Sequence, residues 1–546
     1  MSRGLVNSAA ALIGAAGLAI GIGAIAWAAP AAPANPQQAL AAAAYTAMGN
    51  TDRYAGEGSP PDQLVIMTLK GTVQQWEPGE SESVADLTKP DGGMSSFTQI
   101  WDRTRGYFRT EWVRPRAAGG MRTYTEIFSP ELGGYVIGND ANGALTRRAI
   151  QGDPPVHTMS GLRLRALLRE QERSGIVFAM HDHPERISEY SAQTVGGKTY
   201  PAVQFRGDNA TFIVMFDPAT HLPAIVRTRD FDQLMGDADY DMTLSDWRDV
   251  MKFKLPFHTV YTLNGVKIFD TTISQATVNT TLAADAFRAP PALRGKAAPP
   301  AAIGKVNYQW VIRRLASGFY LDSDALYTDD GASLALTDVG PNISMVTGGS
   351  HNTLIVATNN SLVAFEAPGD DGLSQWIIDA AAKKYPGKPF RYVVLTHHHI
   401  DHSGGLRAYA AQGATIVVGK GDGAFFRKVL AAPQGLNPYG IKSVPPKVIE
   451  VDGKWSVNEG GRTIEAYSLD NPHAAGYLIP YIPDAKMGFV TDLWNPGPPI
   501  NGPANPNMVA VVRGVEKFGI QPDKFAGGHG AVGNYADLAR AVGGAR

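Results

Sequence analysis

The 546-residue chain contains no cysteine. That absence excludes disulfides, thiolate metal ligands, cysteine nucleophiles and the lipid-bearing cysteine of a bacterial lipoprotein. Any metal must then be held by His, Asp or Glu. Charge is sparse as well: charged residues make up 18% of the chain, and the formal net charge is −2. No block of Lys and Arg occurs, so nothing favours a nucleic-acid partner, and a small-molecule substrate fits better. With 44% hydrophobic residues the chain is globular in composition. Its length suggests about two to four domains.

The first residues are nearly free of charge. Arg3 is the only charged side chain before Asp52, and Ala9 to Ala29 is an unbroken run of Ala, Gly, Ile, Leu and Trp. Ala26-Trp27-Ala28 places small residues where a signal peptidase reads. We expect residues 1–28 to be a signal peptide and the body of the protein to be periplasmic or secreted. The alternative is an uncleaved N-terminal anchor, since roughly 20 apolar residues span a bilayer. That anchor is the only membrane contact the sequence suggests. Nothing bears on oligomeric state.

Residues 37–288 are expected to form a mainly antiparallel β domain. Short β-branched or aromatic runs such as Leu64 to Val73, Arg122 to Phe128, Thr211 to Phe216 and Leu222 to Thr228 are bounded by turn residues. Asn264-Gly265 between two such runs predicts a tight hairpin. Leu162, Leu164, Leu167 and Leu168 have helical spacing within Ser160 to Glu172. The strand pattern, with the run Phe216 to Pro223, resembles the curved half-barrel of LolA-like periplasmic lipoprotein carriers. Such a fold would offer an apolar concave face to a substrate or partner, or serve as a structural appendage. His181-Asp182-His183 is read as a surface loop, because no third metal ligand stands near it.

Pro290, Pro291, Pro299 and Pro300 mark residues 289–305 as a linker. The catalytic domain is expected over residues 306–546. Its order of strands and helices includes a helix over Gly372 to Tyr385, the buried strand Phe390 to Leu395 and a second helix over Leu406 to Gln412. Between the last two stands Thr396-His-His-His-Ile-Asp-His-Ser-Gly-Gly405. Open α/β layers place ligands at the carboxyl ends of strands. On extended backbone His397 and His399 point the same way, with His398 facing away to pack or hydrogen-bond. Asp401 and His402 lie on the turn beyond, free to aim at a neighbouring metal. Gly404 and Gly405 let the backbone pass close behind. Ser403 is expected to be a turn or cap residue.

The pattern H-x-H-x-D-H after an apolar strand, followed by Gly-Gly, resembles the metallo-β-lactamase fold superfamily. The resemblance implies an α/β fold, an αββα sandwich. It also implies three further ligands, each at the end of a later strand, and the chain offers His473, Asp492 and His529 in that order. One metal would be held by His397, His399 and His473. A second would be held by Asp401, His402 and His529, with Asp492 bridging. The donors suit two Zn²⁺ per chain, and iron or manganese is compatible with the same set.

The chemistry expected is hydrolysis of an ester, lactone, thioester or amide by a metal-bridging hydroxide, with Asp401 orienting the water. A bridging Asp at position 492 is similar to thioesterases, lactonases and phosphodiesterases of the superfamily and unlike true zinc β-lactamases. Asn495 stands where quorum-lactone hydrolases of the superfamily usually carry Tyr. Trp494 is read as either a pocket wall or a packing residue. A zinc β-lactamase, an iron-dependent oxidoreductase of the sulfur dioxygenase type and a non-catalytic metal-stabilised binding protein are the rival readings.

Overall fold

The computed structural model describes residues 35–51, 63–88, 90–115, 120–140, 154–293, 298, 308–318 and 331–543. The expected signal peptide and most of the expected linker lie outside these residues.

The N-terminal part is one thirteen-stranded antiparallel sheet. It consists of two meanders joined where the first strand, Ile66–Trp76, pairs with the last, Val266–Val278. The Asn264-Gly265 hairpin forms as expected, with Leu263 opposite Val266. Both turn residues have positive φ, 46° and 82°, which is why Asn and Gly occupy them. The leucine-rich segment is the helix Gly161–Ser174, capped by Ser160 on the Arg163 amide.

The reading of His181-Asp182-His183 as a surface loop is corrected. The helix Ile176–Asp182 runs into it and buries Ile176, Val177, Phe178 and Met180. His181 stacks on Tyr45, with ring centroids 3.8 Å apart, and Asp182 pairs with Arg103 at 2.9 Å. Seven residues are too few to show helical periodicity, and this helix is held by docking against its neighbours rather than by propensity.

The C-terminal part is a four-layer sandwich. A seven-stranded sheet runs from Ala335–Gly340 to Val448–Val451, antiparallel at its start and parallel from Leu362–Phe365 onward. A six-stranded sheet over Lys454–Glu459 to Val532–Asn534 faces it. Between them Val356, Phe365, Val394, Leu478 and Phe489 form one dry core. The helices Asp371–Lys384, Leu406–Ala411 and Gly423–Ala431 cover the first sheet. Pro506–Phe518 and Tyr535–Gly543 cover the second. This is the mixed α/β architecture expected.

The two parts interlock. After the strand Ile66–Trp76 a short turn, Pro78–Glu80, reaches into the sandwich. Gly79 passes so close to Ile400 that a Cβ would lie 2.9 Å from its side chain. The helix Tyr308–Ser317 also joins them. Its Arg313 is buried between Glu77 at 3.2 Å and Asp232 at 3.0 Å, both N-terminal.

Candidate metal centre

Every residue of the expected site lies in a loop or a one-turn helix that follows a strand of the sandwich. His397, His399, Asp401 and His402 follow Phe390–Val394, His473 follows Arg462–Ser468, Asp492 follows Met487–Val490, and His529 follows Lys524–Gly527. The bend behind the first group depends on Gly404 and Gly405. A Cβ on either would lie 2.0 Å from another segment, the Gly369 carbonyl oxygen or the Ser374 hydroxyl. Ser403 caps the turn, its hydroxyl donating to the carbonyls of His398 and His399 at 2.9 and 2.8 Å.

Asp492 is the hub. Its Oδ2 lies 3.0 Å from His402 Nε2 and 3.2 Å from both His397 Nε2 and His473 Nε2, while its Oδ1 lies 2.7 Å from His529 Nε2. Its backbone takes a left-handed φ of 59°, a conformation Asp tolerates better than most residues. His397 Nε2 and His473 Nε2 face each other at 3.2 Å.

The surroundings aim these rings. Glu366, completely buried, accepts from the Thr396 amide at 2.7 Å and lies 2.6 Å from His402 Nδ1. The Thr396 hydroxyl is 3.0 Å from His397 Nδ1. Ser81 of the N-terminal part offers one carbonyl oxygen to two rings, His398 Nε2 at 2.8 Å and His399 Nε2 at 2.9 Å. A carbonyl only accepts, so both Nε2 atoms carry hydrogen. That leaves His399 Nδ1 as the ring's free lone pair. His398 hydrogen-bonds and takes no place among the grouped donors, as expected.

Among the described residues, three groups of donors are close enough to share an ion: His397, His399, His473 and Asp492; His351, His402 and His529; and Glu80, His399 and Asp401. The first group brings His397, His399 and His473, the residues expected for one cation, together with Asp492. The second contains His351 where Asp401 was expected. Arg314 Nη2 and His351 Nε2, each 3.2 Å from Asp401 Oδ2, draw that carboxylate aside. Arg314 also holds Glu80 at 2.6 Å. His351, Glu80 and Arg314 escaped sequence reasoning. Only His351, after Gly348-Gly349 at a strand turn, carried any signal.

The donor chemistry fits a divalent cation. Burial pushes His397 down to about 3 and His399 well below the ordinary imidazole value, so both rings are neutral, as metal ligands must be. Burial also lowers His351, to about 4. Burial opposes charge on His402, yet the Asp492, Asp401 and Glu366 carboxylates outweigh it and hold its pKa well above the ordinary value. Burial likewise opposes charge on Asp492, but His402 and its neighbours hold it well below the carboxylate range. Burial and the Asp401 charge push Glu80 well up. Asp401 Oδ1 is buried without a hydrogen-bond partner. Such an atom is costly unless something binds it.

Trp494 packs. It is buried with its ring 6.0 Å from that of Phe525.

Residues 336–534 match the family described as the metallo-beta-lactamase superfamily. No curated protein matches the chain. Among solved structures, a stereoselective inverting sec-alkylsulfatase from Pseudomonas sp. is similar at 18% identity and a TM-score of 0.30, over 38% of this chain. The match spans 40% of that enzyme's chain, less than half its length. A metallo-beta-lactamase from Pontibacter korlensis is similar at 19% identity and a TM-score of 0.31, over 38% of this chain and 97% of the other. A flavodiiron core from Synechocystis sp. is similar at 15% identity and a TM-score of 0.30, over 38% and 59%. By its matched segment and its sandwich of two sheets, the C-terminal domain of this chain belongs to the metallo-β-lactamase superfamily.

Proposed function

We propose that the protein is an exported metal-dependent hydrolase that holds two divalent cations, Zn²⁺ by preference, and cleaves an ester, lactone, thioester or amide of a small molecule. The observation that carries this reading is the position of Asp492. One carboxylate stands within 3.2 Å of ring nitrogens from His397, His402, His473 and His529. An acceptor shared by two groups of imidazoles is what a bridging ligand requires. Export rests on the Ala/Gly-rich segment at residues 9–29.

His397, His399 and His473 would hold one cation and His402 and His529 the other, with Asp492 between them. His351 is a further donor at the second. Cations bound there supply hydroxide near neutral pH and polarise the scissile oxygen. The remaining work falls to this chain's own groups. Asp401, with Oδ1 unpartnered and Oδ2 tied to Arg314 and His351, is positioned to accept a hydrogen bond from the attacking water and orient it. Glu366 and the Ser81 carbonyl fix the tautomers of His402 and His399. The buried turn at Pro78–Glu80 excludes bulk water from the His399 side.

The test is a hydrolysis panel on purified, metal-analysed protein: aryl ester, lactone, thioester, cephalosporin and phosphodiester, each with and without chelator. Turnover that a chelator abolishes and zinc restores is the expected result. No turnover of any substrate after reconstitution would sink the reading. Cephalosporin cleavage alone would replace it with a β-lactamase.

A further inference from the structure

The N-terminal sheet and the helices beside it enclose a cavity of about 330 Å³. Ligand pockets start near ~300 Å³. Its wall is apolar and aromatic, with Leu69, Phe97, Trp101, Phe108 and Trp247 among its residues. Ile312, Leu315 and Ala316 of the helix Tyr308–Ser317 close one side. Arg314 of that same helix reaches Asp401, so the helix separates the cavity from the metal centre.

Four charged side chains line the cavity: Arg114, Glu126, Glu170 and Arg173. Three are matched within the protein. Glu126 accepts from Arg163 at 2.7 Å and from Trp112 Nε1 at 2.9 Å. Arg173 pairs with Glu170 at 3.3 Å, and it donates to the Val226 carbonyl and the Thr228 hydroxyl. Arg114 is different. It is 7% exposed, and its guanidinium rests on the Trp112 ring, 3.6 Å from the centroid. Its Nε has no hydrogen-bond partner, and among the described residues its guanidinium makes no ion pair. A buried cation without a counter-charge is costly, and the cheapest remedy is an anion that enters with the ligand. A guanidinium fork matches a carboxylate in geometry as well as charge.

We propose that this cavity binds a single-chain aliphatic carboxylate, its chain against the aromatic wall and its head group on Arg114. This goes beyond the proposed hydrolysis and does not depend on it, because binding needs no metal.

The test is titration of the metal-free full chain with decanoate and, separately, with decan-1-ol, followed by tryptophan fluorescence and calorimetry. Decanoate is expected to saturate at one per chain. The alcohol should bind about ten- to a hundredfold more weakly, the range of a hydrogen bond to a charged group. Arg114→Met should erase that difference, and Leu69→Trp, which fills the cavity, should abolish both. Near-UV circular dichroism checks that each variant is folded, and the comparison of the two probes on the unaltered chain needs no variant. Equal affinity for acid and alcohol would overturn the proposal. So would an anion preference that survives in Arg114→Met, or uptake without saturation.

Discussion

Glu366→Gln changes one oxygen to nitrogen at a completely buried position, yet on the proposed two-cation reading it should split the two half-sites. Glu366 uses one oxygen for the Thr396 amide and the other for His402 Nδ1. A glutamine has one acceptor and one donor end. If its oxygen keeps the Thr396 amide, its NH₂ faces the Nδ1–H of His402. The ring must then move its hydrogen to Nε2, the atom that should hold the metal. If the amide flips, the Thr396 N–H is left facing a donor, at a cost of about 1–3 kcal/mol. Loss of an outer partner of a metal-bound His typically lowers metal affinity about 10- to 100-fold, or roughly 1.4–2.7 kcal/mol. The loss should fall on the His402 end and spare the cation of His397, His399 and His473. An opposing effect exists: with Glu366 neutral, His402 gives up its proton more readily, which favours metal. That relief acts only where His402 is protonated, so the deficit should widen as pH rises. Competition titration with a chromophoric chelator resolves the two equivalents, and thermal melting in chelator separates affinity from folding. Unchanged affinity for both equivalents, or equal loss from both, would refute the reasoning.

Arg313→Met should destabilise the protein by about 3–5 kcal/mol, because it leaves Glu77 and Asp232 buried without their cation; urea unfolding checks this. Arg314→Met should act in opposite directions with and without metal. It strips the cation from Asp401 and Glu80, so melting in chelator should fall while the gain on adding zinc grows; two shifts of equal sign would contradict this. Asp422→Asn should stabilise at alkaline pH. Burial, then Glu450, raise the Asp422 pKa from the ordinary 3.8 to about 7. The folded state therefore binds the proton more tightly, and stability declines as pH rises from about 4 to 7. The variant should match the parent below pH 4 and exceed it by about 4 kcal/mol at pH 8. A gain that shrinks with rising pH would contradict it.

What the sequence made legible was what lies close along the chain. His397 to His402 sit within six residues at the end of an apolar strand, so their convergence could be read directly. His473, Asp492 and His529 were reached only through the resemblance, which implies a ligand at the end of each later strand. The helix expected over Gly372 to Tyr385 is Asp371–Lys384, capped by Asp370 on the Leu373 amide, and its stripe of apolar residues made it visible. Glu80, Arg314 and His351 reach Asp401 and its neighbours from 321, 87 and 50 positions away, and their placement depends on docking between folded layers. No periodicity records that docking. Glu366 follows the strand Leu362–Phe365, and nothing in its neighbours announces that its carboxylate turns inward at a φ of 75°.

The N-terminal sheet is therefore more than a neighbour of the metal centre. A domain packed alongside would leave the protonation of His399 to the sandwich alone, yet no sandwich group takes its Nε2. The Ser81 carbonyl does, and the same oxygen receives His398. The Ala475 amide donates to the Glu82 carbonyl at 2.8 Å, which ties this turn to the loop that carries His473. Two of the three imidazoles of the first metal group are thus set by one stretch, Ser81 to Glu82. That stretch is anchored by the buried Arg313–Glu77 pair just before it. A backbone carbonyl cannot be altered by substitution, so this contact is reached through what positions it: the missing Cβ of Gly79 against Ile400, and the charge of Arg313. The cavity side of the same helix, Ile312 and Leu315, then shares an element with Arg314, which reaches the centre. Any ligand that shifted this helix would reach Asp401 through Arg314 without touching a metal ligand.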